Sequence, residues 1–390
     1  MSRTSPEEHS ALMAALDDAP VRELFSFRFL EATEIYDQLT DAAAWRVLSD
    51  AGALPEAEGT DPETLPAALH FPERTRPALR FCYAKLADSR YFTRDGDVFR
   101  PTTDRPGSVE ALAEELSVKI PEAAVGAEII LELVAGAPSF FRGERTGEEI
   151  LFAPNRLPLW FRYFSNENIL YRINNTLGAE ALSRALPARA ADVLEIGGGC
   201  GSAAEAALKQ IGSGIARYRF TELVPTFARR GERAARAAAF PDTVIEAAKL
   251  DMNRPWAEQG VAPGTFDAVY SVNCFHVAPD LGAVLVQARE ALRPGGALVI
   301  SECIRPTHGG RPIYVEFIFD FLESFTNVAT DPVKRPNHGF LSPTAWRASL
   351  EAAGFEQVAF VPDVDAVAER YPNFFVGVAI ARRPPHARTE

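Results

Sequence analysis

The chain has 390 residues, 47% of them hydrophobic, enough for two or three domains with cores of their own. A formal net charge of −13 sets it against phosphate backbones and anionic lipid, which excludes nucleic acid and membrane surfaces as partners on charge. The four cysteines (Cys82, Cys200, Cys274, Cys303) lie far apart with no CxxC pair, the pattern of reduced thiols and not of a disulfide framework or a metal cage. The N-terminus, MSRTSPEEHSALMAALDD, is polar and acidic and lacks the apolar core of a signal peptide. No uninterrupted apolar run approaches the roughly 18 residues of a membrane helix. A soluble, cytoplasmic protein is expected.

Helical periodicity dominates the first 110 residues, with apolar side chains at three- and four-residue intervals over Val21–Leu30, Thr33–Ala51 and Pro62–Leu69. The stretch RPALRFCYAKLADSRYFTRDGDVFRPT (76–102) reads as a helix from Ala78 to Ala87, then strands Tyr91–Thr93 and Val98–Pro101. The turn between them contains Asp95-Gly96, a strong hairpin signal. A helix followed by a two-stranded wing is the winged-helix pattern. Acidic surroundings without an arginine stripe favour a module that packs on, or dimerises beside, a catalytic domain over a DNA reader. Further helices are expected at Ser108–Leu116, Ala123–Ala135 and Asn166–Leu186.

From Ala191 the pattern changes to apolar β-rich runs alternating with alanine-rich helices: DVLEIG, helix 202–211, RYRFTEL, helix 225–239, VIEAAKLD, FDAVYSVN, helix 280–292, ALVISECI. Continuous apolar strands separated by helices predict a parallel sheet covered on both faces. VAFVPDV and FFVGVAIAR supply two more strands for an antiparallel edge pair. The expected domains are a winged-helix-like helical domain at 1–110, a helical linker or lid at 111–190, and a Rossmann-like α/β domain at 191–385.

The central motif is DVLEIGGGCGSAAEAAL (192–208), in which Gly197, Gly199 and Gly201 alternate between a strand and a helix. Such glycines let the backbone turn sharply and approach a ligand at the carboxyl end of a strand. The spacing E-x-G-x-G-x-G differs from the G-x-G-x-x-G that seats a pyrophosphate. Glu195 would repel a pyrophosphate but suits an α-ammonium, which points to S-adenosylmethionine. Glu222, 27 residues on, ends the next strand, where a carboxylate can accept both ribose hydroxyls. Asp251 and Met252 follow the third strand, placed to accept from the adenine amino group and to pack on the ring. Leu223 and Asn273 complete the expected cofactor set, and no histidine or cysteine spacing indicates a metal.

These residues, with FDAVYSVNCFHVAPDL (266–281), LRPGGALVISE (292–302) and HGFLSPTAWRASLEAAGFEQV (338–358), resemble class I S-adenosylmethionine-dependent methyltransferases. More narrowly they resemble the C-methyltransferase domains of polyketide synthases. FRGERTGEEILFAPNRLPLWFRYFSNENILYRINN (141–175) is similar to the linker those domains carry before the glycine loop, and the winged stretch has a counterpart in their N-terminal region. The resemblance covers most of residues 20–380. It implies a seven-stranded class I domain, S-adenosylhomocysteine as product, and a small-molecule acceptor from secondary metabolism, free or bound to a carrier protein.

Methyl transfer from a sulfonium is an in-line displacement, so a carbon acid or hydroxyl must be aligned and relieved of its proton. His276, past FDAVYSVN, is the candidate base, and Glu302, ending the neighbouring strand, is placed to orient its imidazole. The resemblance implies this pair as the catalytic dyad. C-methylation at an acidic carbon is the leading reading, and O-methylation of a hydroxyl or carboxylate is the alternative. The same resemblance places Tyr171, one helical turn before Asn175, against cofactor or substrate. His308 and His338 are weaker candidates, His338 being read as a cap for the helix starting at Pro343. A homodimer through the N-terminal helices is expected by analogy.

Overall fold

The computed structural model describes residues 25–307, 312–369, 371 and 373–385. The N-terminal segment through residue 24, with the start of the first expected helix, and His308 lie outside them. The described chain forms two compact units, one of 25–163 with 312–327, the other of 164–307 with the residues from Val328 onward.

The first unit is helical. Helix α1 (Phe27–Asp50) starts where the Ser26 hydroxyl accepts from the Phe29 amide. Helix α2 (Arg76–Asp88) leads into strands β1 (Phe92–Asp95) and β2 (Val98–Pro101), which pair antiparallel. The first strand starts one residue later than expected and runs two residues further. Asp95 pairs directly with Val98, so Gly96-Asp97 makes the turn, with Gly96 at φ +60°. Helices α3 (Val109–Lys119) and α4 (Ala124–Phe141) complete the frame. The stretch Pro121–Phe141 has the length and apolarity to cross a membrane, and 61% of its apolar window is buried inside the fold, as in a core helix. Phe140, Phe141, Phe317 and Phe321 pack together, with the Phe140 and Phe321 rings 4.9 Å apart. These aromatics, with Trp160 and Phe325, are core of this unit. The Lys85 ammonium is fully buried between α1 and α2, pairing with Asp41 and with Asp37 at 3.2 Å.

The second unit opens with helix α5 (Ile169–Ala185) and holds a seven-stranded sheet. Its strands are β3 (Ala191–Glu195), β4 (Ile215–Thr221), β5 (Val244–Ala248), β6 (Phe266–Val272), β7 (Leu292–Cys303), β8 (Glu356–Val361) and β9 (Val376–Arg382). The order is β5-β4-β3-β6-β7-β9-β8, parallel except for β9, which runs antiparallel to both neighbours. This is the expected doubly wound architecture with its antiparallel edge pair. Every residue of β6 is buried, as a central strand covered on both faces requires. Helices α6 (Ser202–Ile211), α7 (Pro225–Ala238), α8 (Leu281–Ala291) and α9 (Pro343–Ala352) link the strands. At the start of the central strands Asp267 accepts from Arg189, Arg293 and the Asp192 amide, and Asp192 pairs with Arg293 and Arg217. Burial works to raise the Asp267 carboxyl, but these partners together hold it below the usual range.

Removing one partner from a buried ion pair strands the remaining charge. Lys85→Met is therefore expected to lower the unfolding free energy by about 3 kcal/mol, read from urea denaturation, with Asp37→Asn and Asp41→Asn made alongside recovering part of the loss. A change indistinguishable from wild type would mean that the two aspartates are hydrated in solution.

Candidate active site

The carboxyl ends of β3, β4, β6 and β7 bring the sequence-selected residues to one side of the sheet. After β3 the chain passes through Gly197, Gly199 and Gly201, all at positive φ. A Cβ at Gly197 would lie 2.2 Å from the Cys274 sulfur, and one at Gly201 would lie 2.7 Å from the Gly231 backbone. Around Gly199 the Cβ position meets nothing within 4 Å. The loop is thus packed hard on its flanks and open at its centre, where a ligand can meet bare backbone.

Glu222, at the end of β4, closes this loop from the side. Its two carboxylate oxygens accept from the Gly199 and Val224 amides, both at 2.8 Å. Each oxygen keeps a second lone-pair direction for a ligand hydroxyl. Leu223 beside it is 42% exposed. Asp251 caps its own turn by accepting from the Asn253 amide at 3.0 Å, while the Met252 sulfur sits 3.8 Å from that of Cys274. Cys274 therefore touches both the glycine loop and the loop after β5.

Glu195 is fully buried, and neither of its carboxylate oxygens has a hydrogen-bond partner. Burial pushes its carboxyl up to about 8, with nearby Glu222 adding to the effect; the Tyr218 hydroxyl opposes it electrostatically without completing a hydrogen bond. A buried carboxylate without a partner at the mouth of a glycine loop fits a cationic ligand group, as the ammonium of S-adenosylmethionine would be.

Asn273 stands at φ +47°, and its carboxamide oxygen accepts from Cys303 at 3.1 Å and from Asn174 at 3.4 Å. Its polar atoms thus tie β6 to β7 within the fold. Tyr171 is partly buried on α5, its ring 5.4 Å from Phe164 and its hydroxyl in electrostatic contact with Tyr270 of β6. Asn175, one turn on, is buried and donates to Asn166, which in turn donates to Ser202 and Glu205 at the start of α6.

His276 and Glu302 are brought together. His276 Nδ1 lies 2.6 Å from a Glu302 oxygen, and the other Glu302 oxygen accepts from the backbone amides of Cys274 at 3.1 Å and His276 at 3.4 Å. Both side chains are buried. With the Nδ1 proton directed at the carboxylate, the imidazole lone pair is on Nε2. The His276 ring packs against Phe340, centroids 4.4 Å apart.

One expectation about caps is corrected. Ser342, not His338, caps α9 by accepting from Ala345, because a hydroxyl one residue before the first turn reaches that amide. Asp280 caps α8 in the same way, accepting from the Ala283 amide. The residue that sequence reasoning missed is Arg335, which is 3% exposed and donates to the carbonyls of His276 and Ala278. Burial pushes its guanidinium down to about 10, opposed by the charges of Glu302 and Asp280. Lying 59 residues from His276 in a loop, it carries no periodic or motif signal in the sequence.

Residues 194–298, which span the glycine loop, both acidic loops and the His276 turn, match the family model described as a methyltransferase domain. The chain is 32% identical over 167 residues to the polyketide synthase component of lovastatin nonaketide synthase from Aspergillus terreus, a match covering 43% of this chain and 5% of that synthase. It is similar in fold to the CurJ carbon methyltransferase, with a TM-score of 0.74 at 20% identity over 97% of this chain and 96% of the other. The citrinin polyketide synthase CMeT domain superposes with the same TM-score at 16% identity, over 99% of this chain and 100% of that domain. The chain spans only 5–12% of the length of the curated synthases it matches first. Residues 194–298 thus carry a methyltransferase domain, and the chain has the fold of the carbon methyltransferase domains of polyketide synthases.

Proposed function

We propose that the protein methylates an acidic carbon of a small acyl acceptor, such as the position between the carbonyls of a β-keto thioester, with His276 as general base and Glu302 as its orienting partner. The observation that carries this reading is the buried 2.6 Å contact between His276 Nδ1 and Glu302. Carbon next to one or two carbonyls gives up its proton slowly, so a positioned base is worth about 10²–10⁴-fold. Glu302 fixes the imidazole by its Nδ1 proton, leaves Nε2 to take the proton, and stabilises the imidazolium that forms. A carboxylate acceptor would need neither group. The polyketide synthase relatives support an acyl thioester on a carrier protein as the acceptor in the cell.

S-adenosylmethionine, when bound, supplies a methyl group already activated by the sulfonium charge. The residues suited to hold it are Glu195, Gly197, Gly199 and Gly201 on the glycine loop, Glu222 with Leu223 after β4, Asp251 and Met252 after β5, and Tyr171 on α5. The Asn273 side chain acts through the strand ends that it joins.

His276→Ala is expected to lower methyl transfer to β-keto thioesters on the order of 10²–10⁴-fold while calorimetric affinity for S-adenosylmethionine is kept. Glu302→Gln should lose at least tenfold by the same assay, because the imidazole then lacks its anionic partner. Full turnover by His276→Ala on those thioesters would sink the carbon-acid reading and favour a carboxylate acceptor.

Glu195 gives a pH signature. Its folded-state carboxyl titrates near 8, above the ordinary value of 4.5, so between these limits the folded cofactor-free protein binds a proton that the unfolded chain has lost. Stability therefore falls as pH rises from about 4.5 to about 8 and levels off above, by an amount on the order of 5 kcal/mol. Glu195→Gln should remove that slope in thermal melts across pH and weaken S-adenosylmethionine binding by about tenfold. Parallel melting curves for the two proteins would show that Glu195 ionises normally in the fold.

A further inference from the structure

The turn that carries His276, Phe275–Val277, is a single helical turn with too few residues to satisfy its own backbone. Its amide side is held by Glu302, which accepts from the Cys274 and His276 N–H groups. Its carbonyl side is held from a different part of the chain. The guanidinium of Arg335 donates from one terminal nitrogen to the carbonyl of His276 and from the other to that of Ala278. One residue further, the Pro279 carbonyl accepts from the Ala329 amide at 2.8 Å. An anion on the amide end and a cation on the carbonyl end match the direction of the turn's dipole.

The segment that presents Arg335 is itself braced. Asp331 and Arg335 exchange backbone hydrogen bonds of 2.8 and 2.9 Å, and the Asp331 carboxylate accepts from the Val333 and Lys334 amides. The Ser349 hydroxyl of α9 donates to the Lys334 carbonyl at 2.8 Å. Arg335 is 3% exposed, and its Nε is buried without a partner. Glu302 and Asp280 are the charges that face it, neither in direct contact. Burying a guanidinium without a paired carboxylate is costly, and an apolar side chain would fill the space at lower cost. What no apolar side chain can do is bridge two carbonyls two residues apart.

We infer that Arg335 is a positioning residue for the base: it pins the carbonyl side of the His276 turn so that the imidazole keeps its alignment while it takes the proton. This rests on the reading of His276 as general base. A misplacement of about 1 Å in a reacting group costs on the order of 10²-fold in rate, which sets the scale of the effect.

The test compares Arg335→Met, Arg335→Lys, His276→Ala and the Arg335→Met/His276→Ala double variant in the full chain. The probes are a series of β-keto thioesters of increasing carbon acidity, assayed by single-turnover methyl transfer, with S-adenosylmethionine affinity measured by calorimetry. Arg335→Met is expected to lose on the order of 10²-fold in kcat, with KM and cofactor affinity unchanged. The loss should shrink as the acceptor becomes more acidic and depends less on the base. Arg335→Lys keeps the charge but spans only one carbonyl, so it should recover the rate in part. In the His276→Ala background the Met substitution should cost nothing more. Equal losses across the series, or a further loss in that background, would overturn the inference and leave Arg335 a structural residue. Should Arg335→Met fail to fold, Arg335→Lys carries the same comparison, and a loss independent of acceptor acidity refutes the proposal. A fully active Arg335→Met beside an inactive His276→Ala refutes the inference alone, whereas an active His276→Ala refutes the base reading on which it rests.

Discussion

The site depends on a carboxylate with no exposure to water. Glu302 lies in the buried run near the end of β7, and its neighbour across the antiparallel ladder is Gly377, whose missing side chain gives Val364 and Ile304 room to pack. Taking a carboxylate out of water costs several kcal/mol unless hydrogen bonds replace the hydration. Here the replacement comes from three donors on one short turn: the His276 ring and the amides of Cys274 and His276. The charge that would otherwise destabilise the strand end therefore organises the turn. The imidazole is fixed because it supplies one of the three donors that replace the hydration of Glu302.

The two ends of the sheet treat charge in opposite ways. Where the central strands begin, Asp267 and Asp192 are matched by Arg189, Arg217 and Arg293. Where the strands end, acids accumulate: Glu195, Glu222, Asp251 and Glu302, with Arg335 near the last of them. Glu222 adds to the cost of ionising Glu195, which the nearby Tyr218 hydroxyl offsets only in part. An unbalanced acidic cluster at the opening of a glycine loop is unfavourable in the protein alone and favourable toward a cation. A ligand carrying an ammonium and a sulfonium suits it, and a pyrophosphate does not.

Much of this was legible in the sequence because it is local. Strand ends, alternating glycines and the acids that follow them lie within a few residues of one another, and period and spacing locate them well. The His276–Glu302 pair was legible through topology, since adjacent parallel strands deliver their ends to one edge. Arg335 was not, because what singles it out is burial against two carbonyls, which no periodicity encodes. The return of residues 312–327 to the helical unit was equally hidden. Gly178 and Gly231 are glycines inside helices; each allows close packing, against Tyr270 and Ser301 in one case and against Phe220 and the glycine loop in the other.

Cys274 joins the two halves of the site. Its sulfur occupies the space that Gly197 leaves, and it also touches Met252, so it packs the glycine loop against the loop after β5. Its amide donates to Glu302, two residues before the imidazole that Glu302 holds. Burial pushes its thiol well up, with Glu222, Glu302 and Glu195 adding to the effect, so it packs as a neutral group among acids. A displacement of the glycine loop would press on this side chain and, through one peptide, on the turn that carries the base. Cofactor seating and base alignment are for that reason a single packing problem, and the sequence solves it by setting a small, uncharged side chain between a glycine and a histidine.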